Sequence, residues 1–311
     1  MGVLHMDITF LGTGAGIPSK ERNVTSIILD MLQEINELWM FDCGEATQHQ
    51  ILHTTLKPRK IKKIFITHLH GDHIFGLPGL LSSRSFLGGD DEVIVYGPKG
   101  IKNFIETSLL VSETHLAYDI DIVEFDEPCL LIDEESYVVE TILLDHNMKS
   151  FGYKITEKDK IGELQVDKLR EIGITPGPIY KQIKENERVT LDDGTILYRK
   201  DFIGDAKKGR KVVILGDTRY VSSLPDFVKG ADLLIHEATF SKENPELAKQ
   251  YYHSTTKDAA TIAKKGNVQH LILTHISSRY QKEHIPLLLE EAMEIFPNVT
   301  IAYDFYQYTI K

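Results

Sequence analysis

The fold of this chain is decided by the stretch Thr67-His68-Leu69-His70-Gly71-Asp72-His73, which follows three apolar residues. It holds three imidazoles and one carboxylate, and side chains of these types are rarely buried without a partner. His68 and His70 stand two apart on extended backbone and therefore point the same way. Gly71 allows the chain to turn, so that Asp72 and His73, at a helix start, face the same space. This thiolate-free donor set indicates a site for Zn²⁺, with Mn²⁺ or Fe as the alternatives.

The pattern at the end of this strand recurs later in the chain. Ile64-Phe65-Ile66-Thr67-His68 and Leu271-Ile272-Leu273-Thr274-His275 share one form, which is three apolar residues followed by Thr and His. Two further apolar runs, 212–215 and 233–235, are followed by Asp217 and by His236-Glu237. Open α/β sheets bind ligands beyond the carboxyl ends of their strands, so we expect these ends to converge.

A pair of metal ions would need more ligands than the first stretch provides. About seven protein ligands are expected for two ions, and the stretch supplies four. The ends of other predicted strands are the natural suppliers of the rest, namely His146, Asp217 and His275.

Composition limits the classes of function. The 311 residues carry a formal net charge of −11, which argues against a protein that coats nucleic acid by bulk charge. It does not exclude a nucleic-acid enzyme that uses metals and local patches. The chain has only two cysteines, which are too few for a disulfide framework or a Cys-based zinc site. No apolar run approaches the ~18 residues of a membrane span, and the first six residues lack a signal-peptide start. We therefore expect a soluble, cytoplasmic protein without membrane contact.

Strands and helices alternate in both halves of the chain, which favours two similar α/β halves packed in one domain over residues 1–311. The predicted strands are 7–11, 25–29, 38–41, 63–67, 92–96, 212–215, 232–235, 270–273 and 299–303, with further strands within 119–156. The predicted helices are 45–54, 72–86, 101–111, 245–252, 256–264 and 285–296.

Residues 158–211 differ from the rest, with 13 Lys or Arg against 10 Asp or Glu. They contain a rigid turn signal, Thr175-Pro176-Gly177-Pro178, and a hairpin candidate at 188–198 with Asp193-Gly194 at its turn. We interpret the segment as an inserted arm with little core of its own. An ordinary solvated insertion is the alternative.

The stretch His68–His73 resembles the His-x-His-x-Asp-His hallmark of the metallo-β-lactamase superfamily, and the chain as a whole is similar to the ribonuclease Z family within it. The further matches are Pro18–Asn23, Phe41-Asp42-Cys43-Gly44-Glu45, His236-Glu237-Ala238-Thr239, His253-Ser254-Thr255 and Gly177-Pro178. The hallmark alone indicates fold and metals, and the other motifs indicate the substrate. The resemblance implies a four-layer αβ/βα sandwich with the inserted arm at about 158–211.

The resemblance also implies a zinc-dependent endoribonuclease that removes the 3′ trailer of precursor tRNA and leaves a 3′-hydroxyl and a 5′-phosphate. Two zinc ions per chain are implied. One is held by His68, His70 and His146, the other by Asp72, His73 and His275, and Asp217 bridges them.

Further roles follow from the same resemblance. Asp72 would accept the proton of the attacking water, and His253 would protonate the leaving oxygen or bind the scissile phosphate. Glu237 would orient His253 or a ligand. The residues implied in RNA binding are Lys20, Arg22 and Asn23 at the acceptor end, and Gly177 and Pro178 in an arm that clamps the tRNA body. A homodimer is implied, and no other protein partner is inferred.

Other readings of the sequence stay open. The same scaffold carries small-molecule hydrolases such as phosphodiesterases, arylsulfatases or lactonases, and a non-catalytic RNA-binding protein is the alternative from another class. His253 also fits a surface position at a helix end, and residues 20–23 also fit a solvated loop.

Overall fold

The computed structural model describes residues 5–310, so most of the N-terminal segment that bears on a signal peptide lies outside the described residues. The strands are β1 (Met6–Gly12), β2 (Gly14–Ala15), β3 (Ser26–Met31), β4 (Glu37–Phe41), β5 (Ile61–Phe65), β6 (Val93–Pro98), β7 (Ile120–Phe125), β8 (Leu130–Asp133), β9 (Tyr137–Leu143), β10 (Phe151–Glu157), β11 (Arg188–Thr190), β12 (Ile196–Tyr198), β13 (Lys211–Leu215), β14 (Leu233–Glu237), β15 (His270–Thr274), β16 (Ile276–Ser277), β17 (Val299–Ile301) and β18 (Gln307–Ile310).

The helices are mostly short and follow the strands. They are α1 (Thr47–Gln50), α2 (Gly71–Ile74), α3 (Leu77–Phe86), α4 (Ile101–Val111), α5 (Val166–Glu171), α6 (Pro178–Glu185), α7 (Arg199–Phe202), α8 (Leu224–Phe227), α9 (Pro245–Tyr251), α10 (Thr256–Gly266) and α11 (Ile285–Met293), with 3-10 helices at Ile51–His53, Pro58–Lys60 and Lys282–His284.

Two seven-stranded sheets hold most of these strands. The first has the order β18-β1-β3-β4-β5-β6-β7, and the second has the order β17-β15-β14-β13-β10-β9-β8. Strands β4, β5, β6 and β7 run parallel to one another, and so do β13, β14, β15 and β17. Parallel strands covered on both faces read as continuous apolar runs, which explains why the runs ending near residues 66, 215 and 273 stood out in the sequence.

The two sheets pack face to face through aromatic side chains. The ring of Tyr153 on β10 lies 5.3 Å from Phe65 and 5.8 Å from Phe41, both on the first sheet. The Tyr153 hydroxyl also donates a 2.5 Å hydrogen bond to the carbonyl of Ile66. This contact fixes the end of β5 against the second sheet.

Helices cover the outer face of each sheet. α3 and α4 bury Leu77, Leu81 and Ile105 against the first sheet, and α10 and α11 bury Ile262 and Leu288 against the second. The order helix, sheet, sheet, helix confirms the predicted four-layer αβ/βα sandwich.

By its internal contacts the chain divides into two compact units. Of the described residues, the larger holds 5–133, 138–155 and 211–310, and the smaller holds 134–137 and 156–210. The smaller unit contains the hairpin β11–β12. The expectation that this insertion has little core of its own is wrong, because Leu169, Ile183, Val189, Leu197 and Phe202 form a buried apolar cluster.

The long helix predicted at 72–86 is interrupted between α2 and α3. The amide of Gly76 donates to the carbonyl of Cys43, and a Cβ at Gly76 would lie 1.9 Å from the carbonyl oxygen of Gly44. The helix is interrupted at Gly76 because the loop after β4 packs directly against the backbone of this residue. Strand β18, which pairs antiparallel with β1, was not predicted from the sequence.

Within residues 5–310, the structure contains no helix with the length and apolarity that a membrane crossing requires.

Candidate metal centre

Four of the predicted ligands meet where β5, β9 and β13 end. His68 Nε2 lies 3.0 Å from His70 Nδ1, which lies 3.1 Å from His146 Nε2. Asp217 Oδ2 is 3.6 Å from His68 Nε2. One nitrogen or oxygen from each of the four lies within 4.8 Å of all the others, which is the spacing of donors around a single ion.

The other three predicted ligands form a second group beside the first. His275 Nε2 lies 3.3 Å from Asp72 Oδ2, and His73 Nε2 lies 3.5 Å from the same oxygen. Asp217 Oδ2 is 3.3 Å from His275 Nε2 and 3.5 Å from His73 Nε2. The Asp217 carboxylate is therefore within reach of both groups, and the structure brings all seven side chains together.

Acceptors outside the cluster fix the orientation of two of the rings. His73 Nδ1 lies 2.7 Å from Asp42 Oδ2, and His146 Nδ1 lies 2.9 Å from the carbonyl oxygen of Tyr252. A carboxylate and a carbonyl only accept, so each Nδ1 carries a hydrogen, and in the neutral ring each Nε2 turns a lone pair toward the cluster. This is the arrangement typical of metal-binding histidines.

Two threonine hydroxyls fix the orientation of the rings of His68 and His275. Thr67 Oγ1 donates to Asp42 Oδ2 over 2.8 Å, so it accepts from His68 Nδ1 at 3.0 Å. Thr239 Oγ1 donates to a buried carboxylate oxygen of Glu237 over 2.7 Å and accepts from His275 Nδ1 at 2.8 Å. Both rings are left with Nε2 free of hydrogen on the side of the cluster.

The residues present fit a divalent metal. His73 Nε2 is buried and has no hydrogen-bond partner among the described residues, although two carboxylates lie about it. Imidazole lone pairs and carboxylate oxygens that face each other in a buried space repel unless a cation lies between them. Five imidazoles and two carboxylates without a thiolate are donors that Zn²⁺ accepts.

The electrostatics of the cluster favour the metal-binding forms of Asp217 and His68, which are the ionised carboxylate and the neutral imidazole. At His73 they favour positive charge instead. Burial would raise the pKa of Asp217, but the nearby rings of His275 and His73 hold it well below its ordinary value. Burial and the neighbouring His73 lower the pKa of His68 well below its ordinary value. Burial alone would also lower the pKa of His73, yet three carboxylates led by Asp217 raise it well above its ordinary value. Negative charge is therefore concentrated around His73, where a cation would sit.

His253 and Glu237 form a hydrogen-bonded pair at the edge of the cluster. His253 Nδ1 lies 2.8 Å from Glu237 Oε1, which also accepts from the amide of Thr218 over 3.0 Å. Burial alone would lower the pKa of His253, but the Glu237 carboxylate raises it to about 9. The ring of His253 lies 5.2 Å from that of His146 and 5.3 Å from that of His275, so it borders both groups.

The loop that contains the predicted RNA-binding residues is tied to the protein itself. Lys20 is exposed, whereas the Arg22 side chain is buried and its guanidinium donates to Thr13 Oγ1 at 2.7 Å and to the carbonyl of Ala302 at 2.6 Å. Asn23 Nδ2 donates to the carbonyl of Glu45 over 2.8 Å. In this structure Arg22 and Asn23 therefore hold the loop, and Lys20 is open to solvent.

One more hydrogen bond concerns this loop, and the positions of two predicted residues concern the arm. The amide of Gly16 donates to Asp72 Oδ2 over 2.8 Å, which connects the loop to the cluster. Gly177 and Pro178 lie in the smaller unit at the start of α6, and both are exposed.

The residues that hold the rings were not predicted from the sequence. Asp42, Thr67 and Thr239 all lie in the quoted motifs, but their residue types alone indicate no such role. The carbonyl of Tyr252 gave no signal, because any residue type carries a carbonyl.

Comparison with known proteins shows likeness over nearly the whole chain. A ribonuclease Z from Oceanobacillus iheyensis is 58% identical over 306 residues, which are 98% of this chain and 100% of that protein. The solved structure of the short form of human tRNase Z has a TM-score of 0.71 and 32% identity, and the match covers 98% of this chain and 100% of that one.

Two further matches are less specific. The metallo-β-lactamase fold protein YhfI from Bacillus subtilis has a TM-score of 0.68 over 98% of this chain and 99% of that one, and its 19% identity speaks for the fold alone. A family model described as Anti-Pycsar protein Apyc1 matches residues 6–151.

Proposed function

The chain belongs to the ribonuclease Z family of endoribonucleases, and from this we propose that it is a zinc-dependent enzyme that removes the 3′ trailer of precursor tRNA. Cleavage leaves a 3′-hydroxyl on the tRNA and a 5′-phosphate on the trailer. The observation that carries the proposal is the meeting of five histidines and two aspartates around one buried space. The 58% identity to a ribonuclease Z over nearly the full chain supports the substrate.

We assign two metal ions to this space. His68, His70 and His146 would hold one ion, Asp72, His73 and His275 would hold the other, and Asp217 would contribute to both. When bound, the metals supply positive charge to the scissile phosphate and to the attacking water. Zn²⁺ suits the donors best, and Mn²⁺ and Fe are the alternatives that metal analysis of the purified protein distinguishes.

The remaining chemistry falls to side chains that handle protons. Asp72 accepts a proton from the attacking water, and its Oδ2 is held in place by the amide of Gly16. As the oxygen of water bonds to phosphorus, the bond from phosphorus to O3′ breaks, and O3′ needs a proton. His253, whose ring is held by Glu237 and remains 15% exposed, donates it.

The RNA contacts are proposed for two separate regions. Exposed Lys20 binds a phosphate of the acceptor end, and Asn23 stands beside it in a loop that Arg22 holds in place. In the smaller unit, Gly177 and Pro178 open α6, on which Lys181 and Lys184 are exposed. We propose that this surface binds the body of the tRNA, because cations bind phosphates without regard to sequence.

We also propose that the protein acts in the cytoplasm as a homodimer. The ends of α3 and α4 expose Phe86, Leu110 and Val111, and large exposed apolar side chains are common at interfaces. Analytical ultracentrifugation tests the dimer, since the species should have twice the 35.3 kDa mass of one chain. A single species of chain mass at micromolar concentration would contradict it.

A trailer-cleavage assay tests the activity. A precursor tRNA transcript incubated with the protein and Zn²⁺ should lose its trailer next to the discriminator base. The shortened tRNA should accept pCp ligation, which requires a 3′-hydroxyl, and the trailer should be degraded by a 5′-phosphate-dependent exonuclease. An intact transcript, or a cyclic phosphate at the new 3′ end, would refute the proposal. Asp217→Asn serves as the inactive control.

Shortening the arm separates this proposal from a small-molecule hydrolase. The amide of Glu157 donates to the carbonyl of Arg210 over 2.8 Å, so the two ends of the arm lie side by side. Replacing residues 159–208 by Gly-Ser should spare hydrolysis of bis(p-nitrophenyl) phosphate and abolish tRNA cleavage. Equal loss of both activities in a folded protein would count against the arm as a tRNA-binding element.

A further inference from the structure

One guanidinium connects three loops that reach the candidate metal centre. The Nε and one Nη of Arg219 donate to the two carboxylate oxygens of Asp145, both over 3.0 Å. The amide of Arg219 donates to the carbonyl of Asp145 over 2.9 Å. Asp145 directly precedes His146, and Arg219 follows Asp217 by two residues, so this side-on pair joins the loop after β9 to the loop after β13.

The same guanidinium lies over an aromatic ring of the third loop. The central carbon of Arg219 is 4.1 Å from the ring centroid of Tyr252, a distance at which cation and ring attract. Tyr252 ends α9 with a left-handed backbone (φ 60°), and its carbonyl accepts from His146 Nδ1 over 2.9 Å. Arg219 therefore touches the residue before His146 and also the residue whose carbonyl orients the ring of His146.

The strength of these contacts points to positioning rather than to stability. The side chains of Arg219 and Asp145 are 28% and 44% exposed, and ion pairs as exposed as this contribute little to folding stability. Both Asp145 oxygens accept from the guanidinium, so its charge is neutralised within the protein. It is thereby a poor contact for an RNA phosphate.

We propose that Arg219 is a positioning residue that holds Asp145 and Tyr252 and, through them, sets the ring of His146 for metal binding. The inference rests on the proposed metal site. It predicts an unequal effect on the two ions, because only the group of His68, His70 and His146 contains this ring. The other group is oriented by Asp42 and Thr239, which Arg219 does not contact.

Zinc binding to the full chain tests the proposal. Wild type, Arg219→Ala and Arg219→Lys are equilibrated with a series of buffered free Zn²⁺ concentrations, and bound zinc per chain is measured by elemental analysis. Lys265→Ala is the matched control, since Lys265 lies 5.4 Å from the ring of neighbouring Tyr220 but touches neither Asp145 nor Tyr252. Unfolding temperatures are measured in parallel without zinc.

Wild type and Lys265→Ala should bind two zinc ions with the same isotherm. Arg219→Ala should shift one of the two binding steps to an about 10-fold higher free Zn²⁺ concentration and leave the other step unchanged. A 10-fold loss of affinity is the lower end of the effect of removing a residue that hydrogen-bonds or positions a metal ligand. Arg219→Lys keeps the charge but cannot donate to both oxygens of Asp145 side-on, so its shift should lie between those of wild type and Arg219→Ala. For tRNA cleavage, kcat should fall while KM stays constant.

Each other result has a defined meaning. If wild type binds no zinc, the proposed metal site itself is wrong. If wild type binds two ions and Arg219→Ala binds them with the same isotherm, the positioning role is wrong. It is also wrong if both binding steps of Arg219→Ala shift together and its unfolding temperature falls. Should Arg219→Ala fail to fold, Tyr252→Leu removes the ring and keeps the carbonyl, and it should produce the same single-step shift; an unshifted isotherm would overturn the inference.

Discussion

Changing Asp42 to Asn removes one charge at the base of the candidate metal centre and leaves the shape of the side chain intact. Asp42 has a left-handed backbone (φ 58°), which Asn tolerates well, so the substitution adds no backbone strain. Its Oδ1 accepts from the amide of Thr67 over 2.8 Å, and its Oδ2 accepts from Thr67 Oγ1 and His73 Nδ1 over 2.8 and 2.7 Å.

An amide cannot satisfy these three donors. Whichever way the new asparagine side chain is oriented, its NH₂ group faces another donor. The ring of His73 can adapt to this, because it can carry its hydrogen on Nε2 instead of Nδ1. Nε2 then loses the lone pair that it turns toward Asp72 and Asp217. Loss of such a partner weakens metal binding about 10- to 100-fold, which is about 1.4–2.7 kcal/mol.

The assay is competition for Zn²⁺ between the protein and a chelator of known affinity. Asp232→Asn is the control, because Asp232 also accepts a backbone amide, that of Lys211 at 2.7 Å, and is not part of the cluster. Asp42→Asn should release zinc at chelator concentrations that leave the control loaded. If a folded Asp42→Asn protein keeps its zinc affinity within twofold of wild type, the account of how His73 is oriented is refuted.

Three further predictions concern stability and reactivity. Arg22→Ala should lower the free energy of unfolding by about 1–3 kcal/mol, because the buried carbonyl of Ala302 loses its donor. The control Lys20→Ala, at an exposed side chain, should change it by less than about 0.5 kcal/mol. Chemical denaturation measures both values, and equal values would contradict the structural role of Arg22. Burial raises the pKa of Tyr118 from 10.0 to about 12, despite the opposing effect of Arg84. The unfolded chain therefore loses this proton first, and stability should fall by up to about 1.4 kcal/mol per pH unit between pH 10 and 12; an equally steep fall in Tyr118→Phe would show that Tyr118 is not the cause. A thiol reagent added to the native protein should modify Cys129 and spare fully buried Cys43, with mass spectrometry of the labelled peptides as the readout; labelling of both at equal rates would show that Cys43 is accessible.

The sequence predicted the architecture well, because the strands that matter are long apolar runs and the site residues follow them directly. The convergence of strand ends brings His68, Asp217 and His275 together as expected, although they are far apart in the chain. The partners of the rings could not be predicted in the same way. The two Thr-His pairs look equivalent in the sequence, and Thr67 does bond to His68. His275, however, has a left-handed backbone (φ 57°), and its ring bonds to Thr239 instead of the preceding Thr274.

The helices and the core of the smaller unit were not predicted, although its hairpin was. α5 and α6 are only six and eight residues long. Elements this short show too few turns or alternations for a periodic apolar pattern to stand out. Its core, built from single residues on many short pieces, is visible only once the chain is folded.

The meeting of Glu157 and Arg210 has a consequence for how such proteins can diversify. The insertion leaves β10 and rejoins the chain at β13, and these two strands are neighbours in the second sheet. A lineage could lengthen, shrink or replace everything between these points and leave the sheet register intact. If the arm binds the body of the tRNA as we propose, substrate choice and the chemistry of cleavage can evolve separately.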